Sequence, residues 1–151
     1  NGVYAHDELE ARHEIELEKY IKKVQIEARV MGEIATNFVL PAAMEYQNVI
    51  ITNIKGLKEV GLKDSASQTQ RKVLEKLSDL INSLSDDVTN MIEARKVCNN
   101  MTNSREKAIA YCNDVKDKYF DKIRYNLDKL EMLVPDEKWT LPKYREMLFL
   151  R

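Results

Sequence analysis

The segment that decides the fold is LEKLSDLINSLSDDVTNMIEARKVC, at residues 74–98. Its apolar residues recur at two heptad positions, with Leu74, Ile81 and Val88 at one and Leu77, Leu84, Met91 and Cys98 at the other. A seven-residue repeat keeps one seam of a helix against a partner helix. We therefore predict a long helix over about 66–100 whose seam packs inside a helical bundle.

Helical spacing also fills the region before this seam. Apolar residues recur at steps of mostly three and four over 7–40, on a face that runs from Leu9 to Phe38 and Val39. Pro41 lacks an amide donor and its ring clashes with the preceding turn, so the helix should kink there or stop and restart. The following stretch should be helical to about residue 60, with Gly61 ending it as a C′ glycine.

Capping residues divide the rest of the chain into further helices. The sequence offers Ser65 with Gln68 or Ser67 with Gln70 before the seam helix, Asn103 with Glu106 before a helix reaching about 132, and Thr140 with Pro142 before a short last helix. The connection between the seam helix and the next one is short. We therefore expect these two helices to form an antiparallel hairpin.

Composition agrees with an all-α fold. Four glycines and three prolines in 151 residues leave little room for a turn-rich β fold. The chain is long enough for one domain with a hydrophobic core. We predict a single helical domain over 1–151, built as an elongated antiparallel bundle of three to four long helices plus a short C-terminal helix. The chain begins Asn-Gly without Met, which suggests a fragment of a larger protein.

Charge and hydropathy argue against two classes of partner. The formal net charge is −1 and no basic block occurs, whereas nucleic-acid binding depends largely on phosphate neutralisation. No run approaches the roughly 18 apolar residues of a membrane span. We therefore expect neither a nucleic-acid partner nor a membrane. The two cysteines, Cys98 and Cys112, fit small core residues in a reducing cytoplasm, so we expect the chain to be cytoplasmic.

Catalytic chemistry has little support in the sequence. Glu10 and His13 have the Glu-x-x-His spacing of di-iron bundles, but His6 is the only other histidine and no second such motif exists. Cys98 and Cys112 lie in helical apolar patterns, as small core residues do. Neither a dinucleotide-binding nor a P-loop glycine motif occurs. We predict no catalytic, cofactor-binding or metal-binding residue in this chain.

The end of the chain is the best candidate for an interaction surface. A short apolar and aromatic segment contains Trp139, Tyr144, Met147 and Phe149. So short a helix is not stable alone, so it must dock against this bundle or against a neighbouring domain. Docking within the chain is the simpler of the two interpretations. Arg95, which interrupts the seam, should form a half-buried charge pair around Glu93 or, as the lesser alternative, bind a ligand.

Several stretches in order resemble the type III glutamine synthetases. The segment VYAHDELEARHE at 3–14 resembles the helix start that follows the catalytic domain in that family. The segment WTLPKYREMLF at 139–149 resembles the family's extreme C-terminus. Shorter similarities lie between them, at 27–31, 40–42, 46–48, 56–59, 93–96, 110–112 and 128–131. The resemblance covers nearly the whole chain.

The resemblance implies a larger enzyme of which this chain is the helical C-terminal part. That family condenses glutamate and ammonia to glutamine with ATP and Mg or Mn, and none of its metal, ATP or glutamate motifs can be placed here. The resemblance therefore implies a non-catalytic structural or assembly domain, whose partners are the catalytic domain of the same chain and neighbouring subunits. In that family the subunits form a stacked double hexamer.

An alternative function follows from the seam alone. A free-standing adaptor could use residues 74–98 to bind a partner helix from another protein. Inside a bundle the same seam is covered by the chain's own helices. Its burial therefore distinguishes the two interpretations.

Overall fold

The computed structural model describes residues 6–147, and it describes side chains over 8–143 and 146–147. Every regular element in this range is helical. In chain order the elements are α1 (His6–Ile34), a π-helical segment (Ala35–Val39), α2 (Leu40–Glu59), a 3-10 turn (Asp64–Ser67), α3 (Gln68–Asn99), α4 (Ser104–Ala110), a second π-helical segment (Tyr111–Phe120), α5 (Asp121–Leu133) and α6 (Tyr144–Met147). The all-α prediction is confirmed.

Three long helical stretches, 6–59, 68–99 and 104–133, form the bundle. Side-chain hydrogen bonds fix their directions. Gln25 bonds Asn99 while Gln47 bonds Ser78, so α3 runs antiparallel to the first stretch. The third stretch packs on both of the others, through α4 and the second π-helical segment on α1 and through α5 on α3. The first stretch alone is about 80 Å long at the usual helical rise, so the bundle is elongated.

The predicted seam forms the centre of the core. Six of its seven residues are at most 6% exposed: Leu77, Ile81, Leu84, Val88, Met91 and Cys98. Leu74 is half-buried and packs against this core. The side chains that cover the seam come from the other two long stretches, among them Val24, Ala28, Val115, Ile123 and Leu130. The prediction of a seam packed inside the bundle is confirmed.

Pro41 does not end the first helical stretch. Helical structure continues across it, and the π-helical segment Ala35–Val39 lies immediately before it. A π turn adds one residue per turn, which accommodates the missing proline amide without breaking the helix. The extra residue also changes the phase of the apolar face. Phe38 and Val39 were both predicted to face the core; Val39 is buried as expected, but Phe38 is 41% exposed.

The start of α1 is also more exposed than its sequence suggests. Leu9 was expected on the inner face, but it is 57% exposed. The third long stretch begins at Ser104, whose hydroxyl lies 3.4 Å from the Glu14 carboxylate.

Two of the predicted helix ends are confirmed by their geometry. Gly61 has φ of 82°, and the chain forms a Schellman motif in which the Gly61 and Leu62 amides bond the carbonyls of Lys58 and Leu57. The Asn103 side chain accepts a 3.0 Å hydrogen bond from the Glu106 amide, as an N-cap does.

Two other predicted caps are wrong. Ser67 precedes α3 but makes no cap hydrogen bond, because its buried hydroxyl bonds the Asp64 carbonyl and accepts from Arg71. The last helix begins at Tyr144, too late for Thr140 to cap it. There the Lys143 amide bonds the Glu146 carboxylate instead, at 3.3 Å.

The segment after α5 folds back on the bundle. Lys138 pairs with Glu45 on α2 at 2.5 Å, and Trp139 and Leu141 pack against the core. The buried Lys143 ammonium bonds the Val134 carbonyl at 2.7 Å and lies 2.8 Å from an Asp136 oxygen. This part of the tail therefore docks within its own chain.

Candidate interaction surface

An open groove runs between α1 and the third long stretch. Its volume is about 710 Å³. Apolar side chains make up its floor: Ile26, Val30, Met31, Ile34, Phe120 and Leu127. Charged side chains stand around them: Glu27, Lys116, Asp117, Asp121 and Arg124. An apolar floor with a charged rim has the composition of a protein-binding site.

The α1 side of the groove follows from residue spacing. Ile26, Val30 and Ile34 are four residues apart, and so lie along one face of the helix. The core of the bundle uses a neighbouring row that contains Val24, Ala28 and Ala35. The apolar stripe of α1 is therefore wider than the bundle needs.

Exposure along this row is high for apolar residues. Ile26 is 62% exposed and Val30 is 46% exposed; Ile34 is half-buried against the core, and Phe38, one turn beyond it, is exposed again. Contiguous exposed apolar side chains in a folded protein commonly mark a contact surface. We call Ile26, Val30, Ile34 and Phe38 the α1 row.

A smaller polar pocket lies beside the groove and shares Ile26 with it. Its volume is about 330 Å³, and its other lining residues are Gln25, Arg29, Arg95 and Asn99. Glu93 pairs with Lys96 at 2.6 Å rather than with Arg95, so the predicted charge pair at the end of the seam does not include Arg95. Arg95 is half-buried instead.

Tyr111 supports this pocket from the core side. Its fully buried hydroxyl donates to the Asn99 side-chain oxygen at 2.5 Å and accepts from the Gln25 amide at 3.0 Å. Burial raises the pKa of the Tyr111 hydroxyl, so this group stays a neutral donor. The Gln25 amide also donates to Asn99 at 2.7 Å, which closes a three-residue network.

The two cysteines differ in their surroundings. Cys98 is buried, and burial raises the pKa of its thiol, as expected for an inert core residue. Cys112 is only half-buried, and its sulfur lies 3.7 Å from an Asp117 oxygen. The prediction of a core position is confirmed for Cys98 and wrong for Cys112. Both thiols are free.

The described side chains within residues 6–147 offer no metal site. No three His, Cys, Asp or Glu side chains described there lie close enough to hold one ion. His13 is exposed on α1, and the side chain of His6 lies outside the described residues. Also within 6–147, no helix combines the length and apolar character needed to cross a membrane.

The predicted interaction residues at the end of the chain are placed unevenly. Trp139 is half-buried on the core, and its indole nitrogen is buried without a hydrogen-bond partner among the described residues. Met147 is 53% exposed. Tyr144 lies in α6 but its side chain is outside the described residues, as is all of Phe149. An interaction surface formed by these four residues stays a prediction.

The sequence pointed to one residue of the polar pocket, Arg95, as a lesser alternative for ligand binding, but not to the rest of the pocket or to the α1 row. The row had a detectable pattern, because Ile26, Val30 and Ile34 are spaced as a second apolar face. The pocket had almost none, because its residues come from positions about 70 apart in sequence that only the antiparallel packing brings together.

Comparison with known proteins gives consistent matches. The family described as "Glutamine synthetase C-terminal domain" matches residues 1–58. A glutamine synthetase of Bacteroides fragilis (strain YCH46) is 41% identical over 152 residues, which cover 99% of this chain and 21% of that protein. A type-3 glutamine synthetase of Dictyostelium discoideum is 29% identical, covering 95% and 20%. A glutamine synthetase of Butyrivibrio fibrisolvens is 27% identical, covering 99% and 21%. The chain spans about a fifth of the length of these curated relatives.

Proposed function

This chain belongs with the C-terminal domains of type 3 glutamine synthetases, and from that premise we propose that it is a non-catalytic structural and assembly domain. In this proposal the intact parent enzyme is cytoplasmic and makes glutamine from glutamate, ammonia and ATP with Mg or Mn. The domain contributes no catalytic residue to that reaction. Its partners are the catalytic domain of the same chain and neighbouring subunits of a homo-oligomer, arranged as a stacked double hexamer.

The observation that carries the proposal is the exposed α1 row beside the groove. Ile26 and Val30 keep large parts of their apolar surfaces outside the core. Covering such surface is favourable by about 25 cal/mol per Å², so a partner that fills the groove gains from its burial. The relatives are about five times longer than this chain, and in this proposal the rest of the parent enzyme supplies that partner.

The rim supports the same interpretation. Glu27, Asp117 and Asp121 lie beside Lys116 and Arg124, so both signs of charge border the apolar floor. Mixed charges at a rim favour one orientation of a partner over others, and they contribute more to specificity than to affinity. This suits a fixed contact between parts of one assembly.

The alternative of a free-standing adaptor has lost its motivating feature. The seam at 74–98 was its binding surface, and most of that seam is covered by the chain's own helices. Opening the seam would require the bundle to unfold. The groove on α1, by contrast, is available without any rearrangement.

The test uses the intact parent enzyme with Ile26→Glu and Val30→Glu combined. Two carboxylates in the apolar floor oppose burial against a partner, so we expect smaller oligomers in light scattering and a parallel loss of glutamine synthesis. Ile109→Glu is the matched control, because Ile109 is 52% exposed but lies outside the groove. The control should assemble and react normally.

A folding check separates assembly from misfolding. Because Ile26 and Val30 are substantially exposed, the same two substitutions in the 151-residue chain should change its melting temperature little. If the doubly substituted enzyme keeps its oligomer size and activity, the assembly role of the groove is wrong.

A further inference from the structure

The polar pocket beside the groove is built from two facing pairs of residues. Gln25 and Arg29 are one turn apart on α1, and Arg95 and Asn99 are one turn apart on α3. Both pairs face the same space of about 330 Å³. Antiparallel packing therefore places two guanidinium groups and two carboxamides around one small volume.

The carboxamides are fixed in orientation by the network described above. The Gln25 amide nitrogen donates to Asn99 and to Tyr111. The Asn99 side-chain oxygen accepts from both Gln25 and Tyr111. With its oxygen so occupied, Asn99 keeps its amide nitrogen as a donor that has no partner among the described residues. The pocket wall is therefore pre-organised before any ligand arrives.

The guanidinium groups are not neutralised. Within residues 6–147, no described acidic side chain forms an ion pair with Arg29 or Arg95. The Arg95 Nε is buried and makes no hydrogen bond to any described group. None of the residues that line the pocket is acidic. Buried polar groups usually have a hydrogen-bond partner, as the Lys143 ammonium does here.

We propose that this pocket binds a small oxyanion, a carboxylate or a phosphate, between Arg29 and Arg95. The planar fork of a guanidinium donates two parallel hydrogen bonds to either group. Arg95, held by its half-buried position, fixes the anion, and the exposed Arg29 closes over it. Asn99 supplies a neutral donor beside them. The site does not depend on the assembly role, because its residues lie mostly outside the groove.

The test is a titration of the ¹⁵N-labelled 151-residue chain, followed by NMR. Sodium glutamate, sodium phosphate and sodium chloride are added in separate experiments, each over the same range of ionic strength. We expect saturable shifts of the Arg95 Nε–H and Gln25 side-chain signals with glutamate or with phosphate. Saturation with glutamate alone identifies a carboxylate site, and saturation with phosphate alone identifies a phosphate site.

Substitutions make the test specific. Arg29→Gln should raise the dissociation constant at least about tenfold, because one charge-assisted contact is lost. Arg105→Gln removes the same charge from an exposed position outside the pocket and should leave the constant unchanged. Arg29 is exposed, so its replacement should not disturb folding, whereas Arg95→Gln needs a melting curve beside it.

Three results would overturn the proposal. Shifts of equal size with chloride would indicate general screening of charge. An unchanged dissociation constant in Arg29→Gln would mean that the anion does not bind in this pocket. No saturable shift with glutamate or phosphate, up to tens of millimolar, would mean that no such site exists.

Discussion

Asn126 on α5 donates a 3.0 Å hydrogen bond to the Ser83 hydroxyl on α3, inside the interface between these two helices. Asn126 is only 6% exposed, and its amide also lies 3.4 Å from an Asp87 oxygen. A buried amide with partners fixes how two helices are aligned along each other. Apolar contacts alone tolerate a shift by one turn more readily.

Replacing Asn126 should therefore destabilise the fold. Asn126→Ala removes one hydrogen bond, and water can replace the donor at the exposed Ser83 hydroxyl, so the free energy of unfolding should fall by about 0.5–1.5 kcal/mol. Urea denaturation of the 151-residue chain measures this change. Asn82→Ala is the control, since Asn82 is exposed on α3 and its loss should cost less than about 0.5 kcal/mol. Equal effects of the two substitutions would contradict the buried role of Asn126.

Two glycines near the end of α2 should respond to alanine with opposite signs. Gly56 is helical and an added Cβ meets no atom within 4 Å, so Gly56→Ala should stabilise the fold by about 0.5–1 kcal/mol. Gly61 has φ of 82°, where a side chain is strained, so Gly61→Ala should destabilise it by about 1–2 kcal/mol. Thermal melts of both variants provide the comparison. The same sign for both would mean that the Schellman end of α2 is not formed.

Alkaline pH should reveal the contact between Tyr20 and Cys112. The pKa of Tyr20 is raised from 10.0 to about 12. The largest cause is a hydrogen bond with the Cys112 thiol, and the second is partial burial of the side chain. The unfolded chain loses this proton first, so the associated stability is complete below pH 10 and is lost as pH rises from 10 towards 12. Absorbance titration at the tyrosinate band should show this late ionisation.

Two variants assign that late ionisation. Tyr20→Phe should remove it, and Cys112→Ala should move it towards pH 10, since the thiol is the largest cause of the shift. Tyr125→Phe serves as the control, because Tyr125 is 60% exposed. A titration curve that Cys112→Ala leaves unchanged would exclude the thiol as the cause.

The sequence predicted the features that depend on local periodicity. The seam of α3 could be predicted because Leu77, Leu84 and Met91 repeat every seven residues. Such a repeat places one face of a helix against its partners in a bundle. The Asn103 cap and the Gly61 end were readable for the same reason, since each depends on a few neighbouring residues.

Features that depend on packing between helices could not be predicted from the sequence. The π-helical segments change the phase of a helix by one residue, which turned Phe38 outwards without any local signature. Tyr111 and Asn126 look like ordinary helix residues in sequence, yet both are buried with polar partners on other helices. Arg29 and Arg95 likewise line the same pocket only because α1 and α3 lie side by side.

The unbroken helix over 6–59 gives the bundle a fixed span. Glu14 near its start contacts Ser104, and Glu45 on α2 contacts Lys138, so both contacts are anchored to the same helix. At the helical rise these anchor points are about 46 Å apart. Partners bound near these two points would be held at a fixed distance from each other. Shortening the helix by one turn would bring them about 5 Å closer.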